Sequence, residues 1–234
     1  MLSLCQTVGM GPKPGVRAAH RARMEREILA VGERHLARDG AAALSLRAIA
    51  RELGVASSAV YRYVESRDEL LTRLIIAAYD ALGDAVDAAL AGVEDPRERF
   101  AVIGRTLRAW ARAHPEQFAL VYGSPVPGYA APAERTNEAG TRLTRHLLDA
   151  LQRMPHVPGL DVARLDVRPD TYGEPADLPA DLPLPALTLG LAAWSMVMGS
   201  VTAEVFEQFG PQTVMDWEAH FEAVLVAALA LVSG

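Results

Sequence analysis

At 234 residues, 50% hydrophobic and 22% charged, the chain has ordinary globular composition and can bury about 70% of its unfolded surface without a disulfide or metal staple. Its single cysteine, Cys5, excludes an intrachain disulfide framework or a Cys-based zinc site and points to a reducing cytoplasm. The net charge of −6 is uneven: residues 1–73 carry 12 Lys+Arg against 8 Asp+Glu, residues 74–234 carry 11 against 21, so only the head suits a polyanion.

Along the chain, residues 1–20 hold Gly9, Gly11, Pro12, Pro14 and Gly15 without an apolar period, which predicts a flexible basic arm over 1–21. From Arg21 the positions Met24, Ile28, Val31 and Leu36 define a helix that Asp39-Gly40 ends. Ser45 is a good N-cap for a helix over 46–53, and Ser57 for one reaching about Tyr63. Gly54 sits in the tight turn between them, the spacing of a helix-turn-helix. Ser66 and Glu69 make a capping box that opens a long helix over 67–90, about 36 Å at 1.5 Å per residue.

The rest also reads as helices: one from Asp95-Pro96 to Ala113, a short one over 116–122, and one over 133–154. Residues 155–185 hold 7 of the 15 prolines and six acidic residues, which predicts a mobile acidic loop. Two last helices carry heptad-like seams, Leu187, Leu191, Trp194, Met198, Val201 and Val205, then Val214, Trp217, Phe221, Val224, Ala228 and Leu231. Such seams suit an antiparallel hairpin that pairs with a copy of itself. No stretch of 18 apolar residues appears without Arg, Asp, Glu or Pro, so no membrane span is expected. Residues 1–14 lack the order of a secretory signal. No strand signal survives, and the expected fold is all-α with about nine helices.

The stretch over 43–81 contains Leu44-Ser-Leu-Arg-Ala-Ile-Ala50, Gly54-Val55, Ala59-Val-Tyr-Arg-Tyr-Val64 and Ser66-Arg-Asp-Glu-Leu-Leu71. It resembles the DNA-binding head of the TetR/AcrR family of bacterial transcriptional regulators. Val64 stands where that family usually has Phe, and Arg67 where it has Lys; the apolar contact and the positive charge are kept. Trp110-Ala-Arg-Ala-His-Pro-Glu-Gln-Phe-Ala-Leu-Val-Tyr-Gly-Ser-Pro-Val-Pro-Gly-Tyr129, with Trp194 and Gly199, is similar to C-terminal domains of this family common in actinobacteria. The resemblance implies a DNA-binding domain over 22–82 and a ligand-binding and dimerisation domain over 83–234, with a divergent pocket among the middle helices and a dimer built from the last two.

Read from the residues, Ser57, Ser58 and Ala59 are small enough for close approach to bases, Arg62 suits a guanine or a phosphate, and the phenols of Tyr61 and Tyr63 suit phosphates. The resemblance adds backbone contacts for Tyr61 and Arg67, and a meeting of Ser45 and Arg47 with the opposite strand. The competing reading makes Tyr63 a core residue and Ser45 only a cap. In the body, Phe100, Ile103, Leu107, Trp110, Phe118, Tyr122, Met154, Trp194 and Met198 are either pocket lining or packed core. The seam positions Leu191, Val201, Val205, Val214, Trp217, Phe221, Val224 and Ala228 are the candidate dimer interface.

Nothing in the sequence points to catalysis, a cofactor or a metal. It has no Gly-rich phosphate loop and no HExxH, and its six histidines lack metal-ligand spacing. The expected function is a cytoplasmic, homodimeric regulator, a repressor released from a pseudo-palindromic operator by a small apolar ligand. The alternatives are an activator with the same head, or a helical scaffold dimer whose head no longer reads DNA.

Overall fold

Alanine and arginine carry the first helix further back than its apolar period reaches. The computed structural model describes residues 14–154, 172 and 182–233, and in it α1 runs over Pro14–Asp39. Residues 17–23 are exposed all round, so this first part has no buried stripe for periodicity to find. Good helix formers and the Arg21–Glu25 pair at 2.9 Å support it instead. The expected arm over 1–21 is therefore helical from Pro14; residues 1–13 lie outside the described residues.

A 3-10 turn over Ala41–Ala43 leads to α2 (Leu46–Glu52) and α3 (Ser57–Tyr61). Ser45 caps α2 as expected, accepting from the Ala48 N–H at 3.4 Å. Ser57, expected as a cap, is the first helical residue instead, and the N-cap is Ala56 without a side-chain bond. Ser66 accepts from the Glu69 N–H at 3.0 Å at the start of α4, Arg67–Leu90. Asp95 accepts from the N–H groups of Arg97 and Glu98 to open α5, Pro96–Ala113. His114 separates it from α6, Pro115–Tyr122.

The single helix expected over 133–154 is two, α7 (Ala133–Gly140) and α8 (Arg142–Arg153), divided at Thr141. The division follows a glycine whose added Cβ would lie 3.3 Å from the Tyr79 ring. Gly140 thus permits a close approach at the cost of helix propensity. The chain closes with α9 (Leu184–Val205) and α10 (Trp217–Ser233). Of the expected acidic loop over 155–185, only Tyr172 and residues 182–185 belong to the described residues. Among the described residues the fold is all-α, with ten α-helices and no strand.

The chain forms two compact units by contact. The first comprises residues up to Leu74 with Pro125–Ala130, and the second Ile75–Ser124 with the chain from Ala131 onward. In the first, Ile28, Val31, Leu36, Ile49, Val60, Val64, Leu70 and Leu71 are buried. In the second, α5 lies at the centre of a core that includes Phe100, Ile103, Leu107, Phe118, Val197, Phe221 and Leu225. Arg108 meets Glu204 and Glu218, while Gly104 faces Val197 and Leu225, an order that runs α9 and α10 antiparallel.

Among the described residues, α9 comes nearest to a membrane span. Residues 186–203 contain no charged residue and no proline, so this helix is long and apolar enough to cross a membrane by length and composition. Its serines and threonines interrupt the apolar run, and a third of the apolar window is buried inside the protein. A core helix passes the same test.

Candidate nucleic-acid interface

The turn between α2 and α3 depends on one left-handed residue. Gly54 has φ 68°, and the Val55 N–H then bonds back to the Ala50 carbonyl at 3.0 Å. Leu46, Ile49, Ala50 and Val60 face inward. Their burial fixes which residues point out: Arg47, Ser58, Tyr61 and Arg62 are exposed, and Ser45, Ser57, Ala59 and Tyr63 are half-buried. Tyr61 keeps 45% of its surface accessible, which leaves its phenol free to meet a ligand from solvent. Arg47 and Arg62 form no ion pair among the described residues, which leaves two uncompensated cations on this face. The face has the shape and charge to meet a duplex: a short helix with small residues at its start, bordered by arginines and phenols.

Two candidates carry a structural duty besides. Arg67 Nη2 donates to the Ala41 carbonyl at 3.0 Å and the Ala42 carbonyl at 3.4 Å, so its guanidinium holds the 3-10 turn. The Arg21 guanidinium sits over the Tyr63 ring at 5.7 Å from its centroid. Sequence reasoning missed a further group behind the reading face. Glu52, at the end of α2, accepts from Arg34 Nη2 at 2.7 Å and lies 2.7 Å from Nε2 of the buried His35. These contacts tie the helix-turn-helix to α1. The only available signal was an acid opposite two basic residues 17 and 18 positions away, and no local pattern marks such a pair.

In the second unit, the residues expected to line a pocket are gathered in one cluster. Phe100, Ile103, Leu107, Trp110, Phe118 and Met154 are buried, and Tyr122, Trp194 and Met198 pack against them. Burial pushes the Tyr122 hydroxyl far above its ordinary value, so it stays protonated. The Trp110 indole N–H is buried without a hydrogen-bond partner among the described residues. A separate cleft of about 530 Å³ is lined by Ile76, Asp80, Arg135, Glu138, Ala139, Arg142 and Arg145, none of them expected.

The candidate dimer residues divide. Val201, Phe221 and Ala228 are at most 1% exposed within a single chain, so they have no surface to offer a partner. Val205, Val214, Trp217 and Val224 are half-buried, and Leu191 is exposed. The heptad found apolar positions, but three of these eight are buried in the chain's own core. The outward stripes are others: Leu191, Ala192, Ser195, Met196 and Gly199 on α9, and Ala219, Ala223, Val226, Ala227 and Ala230 on α10.

Known proteins share both units. Residues 28–74 match the model described as bacterial regulatory proteins, tetR family, and residues 100–228 match tetracyclin repressor-like, C-terminal domain. The HTH-type transcriptional regulators Rv1816 of Mycobacterium tuberculosis and Mb1846 of Mycobacterium bovis are each 38% identical over 97% of this chain and 99% of their own. The chain belongs to the tetR family of bacterial regulatory proteins. This makes it a DNA-binding transcriptional regulator and not an enzyme. The crystal structure of the regulatory protein SCO4313 superposes with a TM-score of 0.74 at 33% identity, covering 94% of this chain and 99% of that one. FadR from Bacillus subtilis in complex with stearoyl-CoA shares the fold at TM-score 0.61 and 14% identity, covering 89% of this chain and 98% of its own.

Proposed function

We propose that this tetR-family regulator is a homodimeric repressor of the cytoplasm, released from a pseudo-palindromic operator by a small apolar effector. The observation that carries the DNA-reading part is the outward face of α2 and α3, where Arg47, Ser58, Tyr61 and Arg62 stand clear of the core. Arg62, with Ser57, Ser58 and Ala59, addresses base edges; Tyr61, Tyr63 and Arg67 grip phosphates, with Ser45 and Arg47 on the opposite strand. Two heads bound to one duplex read half-sites about 34–36 Å apart, or a multiple of that.

The effector enters the cluster around Trp110, Phe118 and Tyr122. Its body is apolar, and it carries an acceptor for the Trp110 N–H, which lacks a partner among the described residues. It shifts the head only by binding more tightly to the state in which α4 is tilted. The outward stripes of α9 and α10 pair with those of a second copy, with Leu191, Met196 and Val226 as the largest apolar contacts.

The test is a fluorescence-anisotropy titration against DNA from upstream of its own gene, at two salt concentrations, beside a scrambled duplex. Selective binding that weakens with salt is expected. Arg67→Ala should weaken binding to every duplex and flatten the log–log salt slope by about one. A loss confined to one base position would refute the phosphate role.

A further inference from the structure

The charge of the head is unevenly placed. Residues 25–73 carry 8 Lys+Arg against 8 Asp+Glu and are neutral overall. Residues 1–24 hold Lys13, Arg17, Arg21 and Arg23 and no acid, so they supply all the net positive charge of this part of the chain. Binding a duplex releases counterions in proportion to the phosphates that cations neutralise. A neutral helix-turn-helix unit meets that demand poorly. Arg17, Arg21 and Arg23, which could meet it, stand on the first turns of α1.

The packing of α1 sets where these cations point. Val31, Ile28, Met24, Arg21 and Arg17 lie on one line, stepping back by 3, 4, 3 and 4 residues. Along it Val31 and Ile28 are buried, Met24 is half-buried, and Arg21 and Arg17 are exposed. The side that packs on the head therefore runs on past it as two arginines, about 6 Å apart at 1.5 Å rise per residue. Arg21 shows what that side faces: its guanidinium stands 5.7 Å from the centroid of the Tyr63 ring, just beyond the end of α3. Its pair with Glu25 at 2.9 Å is exposed, and such a pair is weak and screened, so a phosphate can replace it. Arg17, one turn further out, has no ion pair among the described residues. Arg23 lies on the other side of the helix, paired with Glu27 at 2.7 Å.

We propose that the first turns of α1 are a second DNA contact, with Arg17 and Arg21 set against the sugar–phosphate backbone beside the stretch that α3 reads. The contact is electrostatic and indifferent to base sequence: these two arginines add affinity, and the face of α2 and α3 supplies the choice of site. Helical continuity with the packed part of α1 holds both side chains in position before binding. A flexible arm would have to lose that chain entropy on the duplex. The inference rests on the proposed reading face of α2 and α3.

The experiment uses the full chain, a genomic fragment selected for tight binding and a scrambled duplex, with affinity read by anisotropy across a salt series. Arg17, Arg21 and Arg23 are exposed, so each variant should keep the fold. Arg17→Gln should weaken binding to both duplexes by the same factor and flatten the slope of log affinity against log salt by about one per bound copy. Arg17→Gln with Arg21→Gln should flatten it by about two. Arg17→Lys, which keeps the charge, should match the wild type. Arg23→Gln, which removes an equal charge from the other side of the helix, should match it too. A double variant whose slope and affinity equal those of the wild type overturns the second contact. So does an Arg23→Gln loss as large as that of Arg17→Gln, which would show a diffuse effect of net charge. A loss on the selected fragment alone overturns the phosphate role. A wild type that selects no fragment overturns instead the reading face beneath the proposal.

Discussion

The carboxylate of Glu52 accepts from Arg34 Nε at 3.2 Å and Nη2 at 2.7 Å, with His35 Nε2 at 2.7 Å on its other oxygen. Hydrogen bonds from Arg34 first, and from His35 second, hold the Glu52 carboxyl below its ordinary value of 4.5. A lowered carboxylate pKa favours the folded state at any pH above the unfolded value. That contribution is lost as the pH falls through the folded value. Glu52→Gln should therefore melt below the wild type at pH 7, and the gap should close as the pH drops below about 4. A gap that persists unchanged into acid would show that Glu52 acts through packing alone. The same contacts fix α2, which carries Arg47, on α1.

At the scale of elements, α5 holds the second unit together by charge as well as by apolar burial. Arg108 donates from Nε to Glu204 at 2.6 Å and from Nη2 at 3.0 Å, and its Nη1 meets Glu218. Its guanidinium also lies 5.2 Å from the Phe221 ring centroid. One side chain thus joins α5 to both α9 and α10, and Arg105 adds a two-pronged pair with Glu222. Both Arg108 and Glu204 are under 10% exposed, so removing one strands the other. Arg108→Met should cost about 3 kcal/mol in urea unfolding, because among the described residues Glu204 keeps only the Arg112 ion pair at 3.3 Å. Arg108→Met with Glu204→Gln should recover at least half of that loss. A double variant no better than the single one would refute the stranded-charge account.

At the scale of the whole molecule, the outward and inward faces of α9 and α10 should respond differently to a charge. Val226 is 66% exposed and Phe221 1%. Val226→Glu should leave the melting temperature within about 3 °C, halve the mass in solution and weaken operator binding. Phe221→Glu should unfold the chain. A Val226→Glu protein with unchanged mass would remove the proposed dimer face.

These faces also mark how far the sequence reaches. Local signals determined the all-α class, the caps at Ser45, Ser66 and Asp95 and the turn at Gly54, because each depends on neighbours within a few positions. Periodicity found the apolar positions of α9 and α10 for the same reason. It could not divide them between the buried core and the exposed face, since a helix with two apolar faces has one pattern and two environments. Tertiary packing decided that division, and it brings Tyr79 of another helix close against Gly140 beside the break at Thr141. It also made the Glu52 and Arg108 contacts and the Tyr129–Thr72 bond, whose partners lie 17 to 110 residues apart. Such pairs form only when long loops have closed, and no short-range pattern in the chain encodes them.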